Sequence, residues 1–129
     1  MSAAERCAAR LIAEKDALAL AIADALYRER PDLSAKYGEA GRAKCVQDMR
    51  YNVEHLAPSV ALGEPAMFGG YARWLVSLLT ARGIPKDDVE RSIVLTRAEI
   101  GGRFPPDEAA AATPALDAAM AVFAMAPPP

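Results

Sequence analysis

An all-α domain is what this sequence predicts, and three observations carry the prediction. Of its 129 residues about 29 are alanine, the best helix former and a poor strand former. Apolar residues recur three or four apart over long stretches, the period of a helix with one buried face. Serine, glycine and proline bound those stretches at the positions where helices start and stop. Hydrophobic residues make up 53% of the chain, yet without alanine the larger apolar types supply only roughly 30%. The length is that of one domain. Residues 1–126 are assigned to it, with Pro127–Pro129 as a flexible proline tail.

Ser2-Ala3-Ala4-Glu5 is a capping box, in which serine accepts from the third backbone amide and glutamate reaches back. The helix behind it carries Leu11, Lys15, Leu18, Ile22 and Leu26 on one stripe, the lysine stem lying along it. It is expected to kink or divide near Asp16 and to run to about Arg30, where Pro31 stops it. Residues 31–41 read as a connector anchored by Leu33 and Tyr37.

A second helix is expected from Glu39 or Gly41 to Ala57, with Cys45, Met49, Val53 and Leu56 inward and Pro58 ending it. Leu62-Gly63-Glu64-Pro65 is a tight connection that puts proline in the first turn of a third helix. That helix carries Phe68, Tyr71, Trp74, Leu75, Leu78 and Leu79, a wide face expected to be mostly buried. Arg82-Gly83-Ile84-Pro85 closes it, with glycine in the left-handed position and isoleucine folded back on the last turn. Lys86-Asp87-Asp88 starts a fourth helix, its carboxylates at the positive end of the dipole. Val89, Ile93, Thr96 and Ile100 face inward there, with Val94 flanking.

Gly101-Gly102 and Pro105-Pro106 are expected to break the chain, and Asp107–Ala112 to begin another helix. Thr113-Pro114 signals a restart or bend in it, and Leu116, Met120 and Phe123 form its later stripe. No internal repeat appears. Five to six helices with short connections make a helical bundle with globin-like packing.

Charge and segment patterns exclude several classes. Fifteen basic against seventeen acidic side chains leave a net charge of −2. The basic residues are scattered among acids, without the basic stripe from which a nucleic-acid binder draws its affinity. No window approaches the roughly 20 apolar residues of a membrane span. The N-terminus lacks a basic stretch followed by an apolar one, so it does not read as a secretory signal. Cys7 and Cys45 then read as reduced thiols on separate helices in a cytoplasmic protein.

His55 is the only histidine, so any imidazole chemistry rests on it. Asp48 and His55 point within about 20° of each other on a helix, with Asn52 between them. This polar strip reads either as a pocket wall, with Asn52 and His55 offering hydrogen bonds to a ligand, or as a helix shoulder bonded to loop carbonyls. Asp48 and His55 stand roughly 10.5 Å apart along the axis, too far to share one metal ion. A haem on His55 needs an apolar slot beside it, with Tyr71 or Trp74 lining the pocket. Against that, Phe68, Tyr71 and Trp74 read equally as core that fills the slot. No serine or cysteine sits on a sharp glycine-flanked turn. Gly69-Gly70, inside a helical pattern, reads as close approach of a neighbouring helix or of a ligand. No catalytic residue, metal set or cofactor is called for.

One stretch resembles a known group. Residues 42–56, with Asp48, Tyr51, Asn52 and His55, precede Gly63-Glu64-Pro65, Phe68, Tyr71 and Trp74, then Arg82-Gly83-Ile84-Pro85. The series resembles the helical N-terminal domains of RsbR-type stressosome proteins, and helical domains attached to cobalamin-binding or signalling modules. The resemblance covers about half the chain closely. It departs in three places: Asn52 stands where that group has histidine, His55 where it has an aromatic residue, and Gly69-Gly70 where it has alanine and aspartate. What it implies is a globin-like fold without haem, dimeric, serving as an input module for an attached domain or a partner.

The functional expectation is therefore a non-enzymatic regulatory or sensory domain acting as a homodimer on a signalling partner or output domain, with a small ligand possible. The alternative is a globin-like sensor or carrier of haem or another tetrapyrrole. Bulky residues concentrate between Cys45 and Ile100 while alanine dominates the first and last helices. The terminal stripe Leu116, Met120 and Phe123 is accordingly expected to be an exposed, self-complementary patch.

Overall fold

Ser2 opens the first helix as its pattern predicts. Its hydroxyl accepts from the Glu5 amide at 3.1 Å, and its own amide donates to the Glu5 carboxylate at 3.0 Å. These bonds hold the Glu5 carboxyl below its usual range. The computed structural model describes residues 1–125. They form six helices: α1 Ala3–Ala13, α2 Lys15–Glu29, α3 Asp32–Ala61, α4 Pro65–Ala81, α5 Lys86–Arg103 and α6 Pro106–Met125. No strand occurs among the described residues, and the proline tail assigned to 127–129 lies outside them.

The division expected near Asp16 falls at Glu14, where the backbone leaves the helical region. Leu11, Leu18 and Ile22 are fully buried behind it. Lys15 lies at the edge of this stripe, its ammonium 3.5 Å from the Glu54 carboxylate.

The expected connector is largely helical, which corrects the sequence reading. α3 starts at Asp32, turns a corner at Gly38 (φ 65°, ψ −165°) and continues to Ala61. That backbone conformation is open essentially only to glycine, so one residue redirects the helix without a loop. Leu33 is buried and Tyr37 half-buried on the short arm, both anchors as expected.

Pro58 does not end α3 either. Proline removes one backbone donor, but the Leu62 amide donates to the Pro58 carbonyl at 3.0 Å and the helix completes another turn. Ser59, buried beside it, donates its hydroxyl to the Glu64 carbonyl at 2.7 Å and accepts from the Phe68 amide at 3.3 Å. One side chain thus ties the end of α3 to the start of α4. At the far end of α4, Gly83 takes φ 85° and the Ile84 amide donates to the Leu79 carbonyl at 2.9 Å, the predicted glycine closure.

Gly101-Gly102 and Thr113-Pro114 do not interrupt their helices. α5 passes through both glycines to Arg103, and Phe104 and Pro105 make the turn. Pro114 lies on the exposed side of α6. There the carbonyl it leaves unpaired, that of exposed Ala110, is open to water, so the helix continues.

α6 packs against α1, α3, α4 and α5. Its alanines, together with Leu116 and Phe123, are the reason it fits so closely. Ala112, Ala115, Ala119, Leu116 and Phe123 are all buried and Met120 is half-buried. The terminal stripe is core, not the exposed patch expected of it. Where α4 crosses α6, a side chain begun at Gly69 would stand 3.4 Å from the Ala118 methyl and carbonyl oxygen. Gly69 thus lies at the α4–α6 contact, where a methyl would just touch its neighbours, while Gly70 faces open space.

Polar clamps hold the terminal helices to each other. Glu108, at the start of α6, is buried and receives Arg10 Nε at 2.7 Å, while Arg6 reaches Asp107 at 2.5 Å. No helix among the described residues is long and apolar enough to cross a membrane.

Candidate functional site

Lys44, Asp48, Tyr51 and His55 recur four, three and four residues apart, which puts them on one side of α3. Tyr71, Trp74, Leu75, Leu78, Leu79 and Arg82 face them from α4. Between the two rows lies an open cleft of about 390 Å³. Asp48 and His55 of the polar strip predicted on α3 line it, and three of the four candidate residues, His55, Tyr71 and Trp74, meet there.

Asn52 does not reach the cleft. It is buried behind the wall, where its Oδ1 accepts the Tyr71 hydroxyl at 2.6 Å and its Nδ2 lies 3.9 Å from Met49 Sδ. Burial, and then the Asp48 and Glu54 carboxylates, push the Tyr71 phenol far above its ordinary range. The phenol therefore stays a donor. Asn52 is a support for Tyr71 and not a ligand-facing group.

His55 is exposed, and its Nδ1 donates to the Tyr51 carbonyl at 2.8 Å, one turn back. Its ring lies flat on Tyr71, with centroids 4.2 Å apart and planes 15° apart. Tyr71 in turn neighbours Phe68 at 5.6 Å and Trp74 at 5.8 Å. Trp74 is 56% exposed, the one exception on an α4 face that is otherwise buried or half-buried as expected. The cause is the angle around the helix. Phe68, Ala72, Leu75 and Leu79 fill the inward side, and Trp74 is left at the rim.

Asp48 is half-shielded beneath the cleft. Burial pushes its carboxyl above the usual range, against the pull of Lys44 and Arg82. Lys44 Nζ stands 3.6 Å from it. The cleft thus offers the aromatic faces of Tyr51 and Trp74 beside a mixed group of charges. Lys44 and Arg82 were missed as cleft residues, although their spacing from Asp48 and Leu78 carries the signal.

The serine near His55 and the two cysteines are engaged otherwise. The Ser59 hydroxyl serves the α3–α4 turn. Burial pushes both thiols, Cys7 and Cys45, up to about 11, so neither is an activated nucleophile at neutral pH. Among the described residues no three His, Cys, Asp or Glu side chains gather as a metal set. Nor do the residues around His55 fit a haem. The slot such a group needs is filled by the Tyr71 ring stacked on the imidazole, with fully buried Phe68 behind it.

A second cavity, unforeseen in the sequence, lies between α2, α3, the end of α4 and the start of α5, with a volume of about 180 Å³. Leu26, Leu33, Tyr37, Cys45, Met49, Leu79, Ile84 and Val89 are among its walls. Its signal in the sequence is the small inward residues Gly41, Cys45 and Ser92 opposite bulky ones. Comparison of the chain with models of known protein families and with the sequences of curated proteins gives no match.

Proposed function

We propose that this chain is a regulatory or sensory helical domain that pairs with a second copy and acts on a signalling partner or output domain in the cytoplasm. Its resemblance to RsbR-type N-terminal domains implies the same role. The observation that carries the reading is the outer face of α4. Met67 and Trp74 stand there 40% and 56% exposed. Gly70 lies between them, with nothing within 4 Å of where a side chain would begin.

Met67, Gly70 and Trp74 recur at helical spacing, so they share one side of α4, and that side can pair with a copy of itself. In an antiparallel pair with its twofold axis level with Ala72, Trp74 of each chain lies over the bare Gly70 of the other. Trp74 also lines the α3/α4 cleft, so a small ligand bound there would be felt by pairing. A non-enzymatic role is supported by the commitments of His55, Ser59 and the two thiols described above.

Sedimentation velocity over a hundredfold range of concentration tests the reading. Wild type is expected to move from monomer to dimer as concentration rises, and Trp74→Glu to remain monomeric throughout. A wild-type chain that is monomeric at every concentration would rule the reading out.

A further inference from the structure

We infer that the cavity between α2, α3 and α5 is a binding site for a small neutral apolar molecule of about the size of one aromatic ring. The short arm of α3 before Gly38 serves as its cover. The inference is separate from the α4 face and does not depend on pairing.

Size and chemistry define the ligand class. The cavity is partly open to solvent and holds about 180 Å³, comparable with the roughly 150 Å³ of an apolar cavity that admits benzene. Its surface is almost wholly apolar, formed by Leu26, Leu33, Met49, Leu79, Ile84 and Val89. Of the polar side chains around it, the two carboxylates and the serine already have partners. Asp88 is paired with Arg30 and Asp48 with Lys44, and the Ser92 hydroxyl donates to the Val89 carbonyl at 2.6 Å. Among the described residues no buried side-chain nitrogen or oxygen lacks a partner. A strongly polar ligand would find few groups there to replace its water. An anion would meet the Asp48 and Asp88 carboxylates, with Lys44 as the lining cation already drawn to Asp48.

The cover is built from specific residues. Its corner is Gly38, at angles that other residues rarely adopt. Tyr37 lies against the bare backbone of Gly41, where a side chain would begin 2.2 Å from the Tyr37 Cβ. At the other end Arg30 holds Asp32 on the cover through Nη2 at 3.0 Å and Asp88 on α5 through Nη1. The arm therefore carries Leu33 and Tyr37 over the cavity between a hinge and an ionic latch.

Cys45, in the cavity wall, reports occupancy. In Cys7→Ala protein its alkylation by iodoacetamide is timed with and without benzene. At ten times its dissociation constant benzene is expected to slow the reaction about tenfold. Benzoate, the same ring with a carboxylate, is expected to leave the rate unchanged. Benzene should also shift the Leu33, Tyr37 and Val89 amide resonances. Val89→Phe, which fills the cavity, should abolish protection, and Met49→Phe replaces it if circular dichroism finds Val89→Phe unfolded. Arg30→Ala should raise the rate without benzene by releasing the latch. The site is overturned if benzene changes neither rate nor resonances, if benzoate protects equally, or if a folded, filled variant is still protected. An unchanged rate in Arg30→Ala overturns the cover.

Discussion

The Tyr71 hydroxyl donates to Asn52 Oδ1 at 2.6 Å, and this one bond sets the aromatic wall of the α3/α4 cleft. Asn52 is buried and has no second strong donor. The imidazole of His55 rests on the ring that the bond holds. Tyr71→Phe leaves Asn52 Oδ1 buried without a donor, which is expected to cost about 1–2 kcal/mol. In urea denaturation the midpoint should fall with the slope unchanged. The double variant Tyr71→Phe/Asn52→Leu, which removes both polar partners, should recover part of the loss. If the losses of the single variants simply add, the two residues are not coupled.

Glu108 and Asp107 stand side by side at the start of α6, but only Glu108 is buried. Its oxygens face Arg10 at 2.7 Å and Arg6 at 3.7 Å. Glu108→Gln removes a charge from beneath two guanidinium groups. Asp107→Asn loosens a pair that solvent and salt already screen. Thermal melts should therefore show a clear fall for the first and almost none for the second. The Asp107→Asn difference should vanish in high salt.

Two glycines give opposite expectations. Gly38→Ala forces a methyl-bearing residue into a conformation that costs about 1–3 kcal/mol, although nothing crowds it. Gly70→Ala, in the regular part of α4 and facing open space, is expected to stabilise the dilute monomer by about 0.5–1 kcal/mol. Chemical denaturation of both variants checks the sign as well as the size.

Burial raises the Cys7 thiol from 9.0 to about 11, with a definite sign for stability. The folded chain prefers the neutral thiol, so this contribution is complete below pH 9.0 and is lost as pH rises through about 11. Cys7→Ala should flatten the alkaline fall in unfolding free energy over that window. At pH 8 such a thiol, buried as well as protonated, is expected to react with iodoacetamide at least a hundredfold more slowly than a free one, since the thiolate attacks. An equal rate for the native and urea-unfolded chains would contradict the shift.

Much of this fold was legible in local patterns. The capping box at Ser2, proline in the first turn of α4 and the glycine closure at Gly83 involve neighbours within a few residues, so the sequence contains both partners. The stripe Cys45, Met49, Val53 and Leu56 was readable for the same reason, because helical period alone decides which residues share a face. The polar strip of Asp48 and His55 was readable in the same way, but Asn52, read as part of it, turns inward and Lys44 takes a place on the wall.

What depended on distant partners was not legible. Local rules treat Pro58, Gly101-Gly102 and Pro114 as breaks. Whether a helix survives them depends on what satisfies the freed carbonyls and on how much apolar surface packing buries. The burial of Leu116 and Phe123, the support of Tyr71 by Asn52 and the exposure of Trp74 are each decided by helices far apart in the chain. By itself the sequence determined five to six amphipathic segments and most of the residues on their faces, since these follow from short-range geometry. Tertiary structure decided which faces became core, cleft or cavity, because burial is a property of the neighbours a face meets.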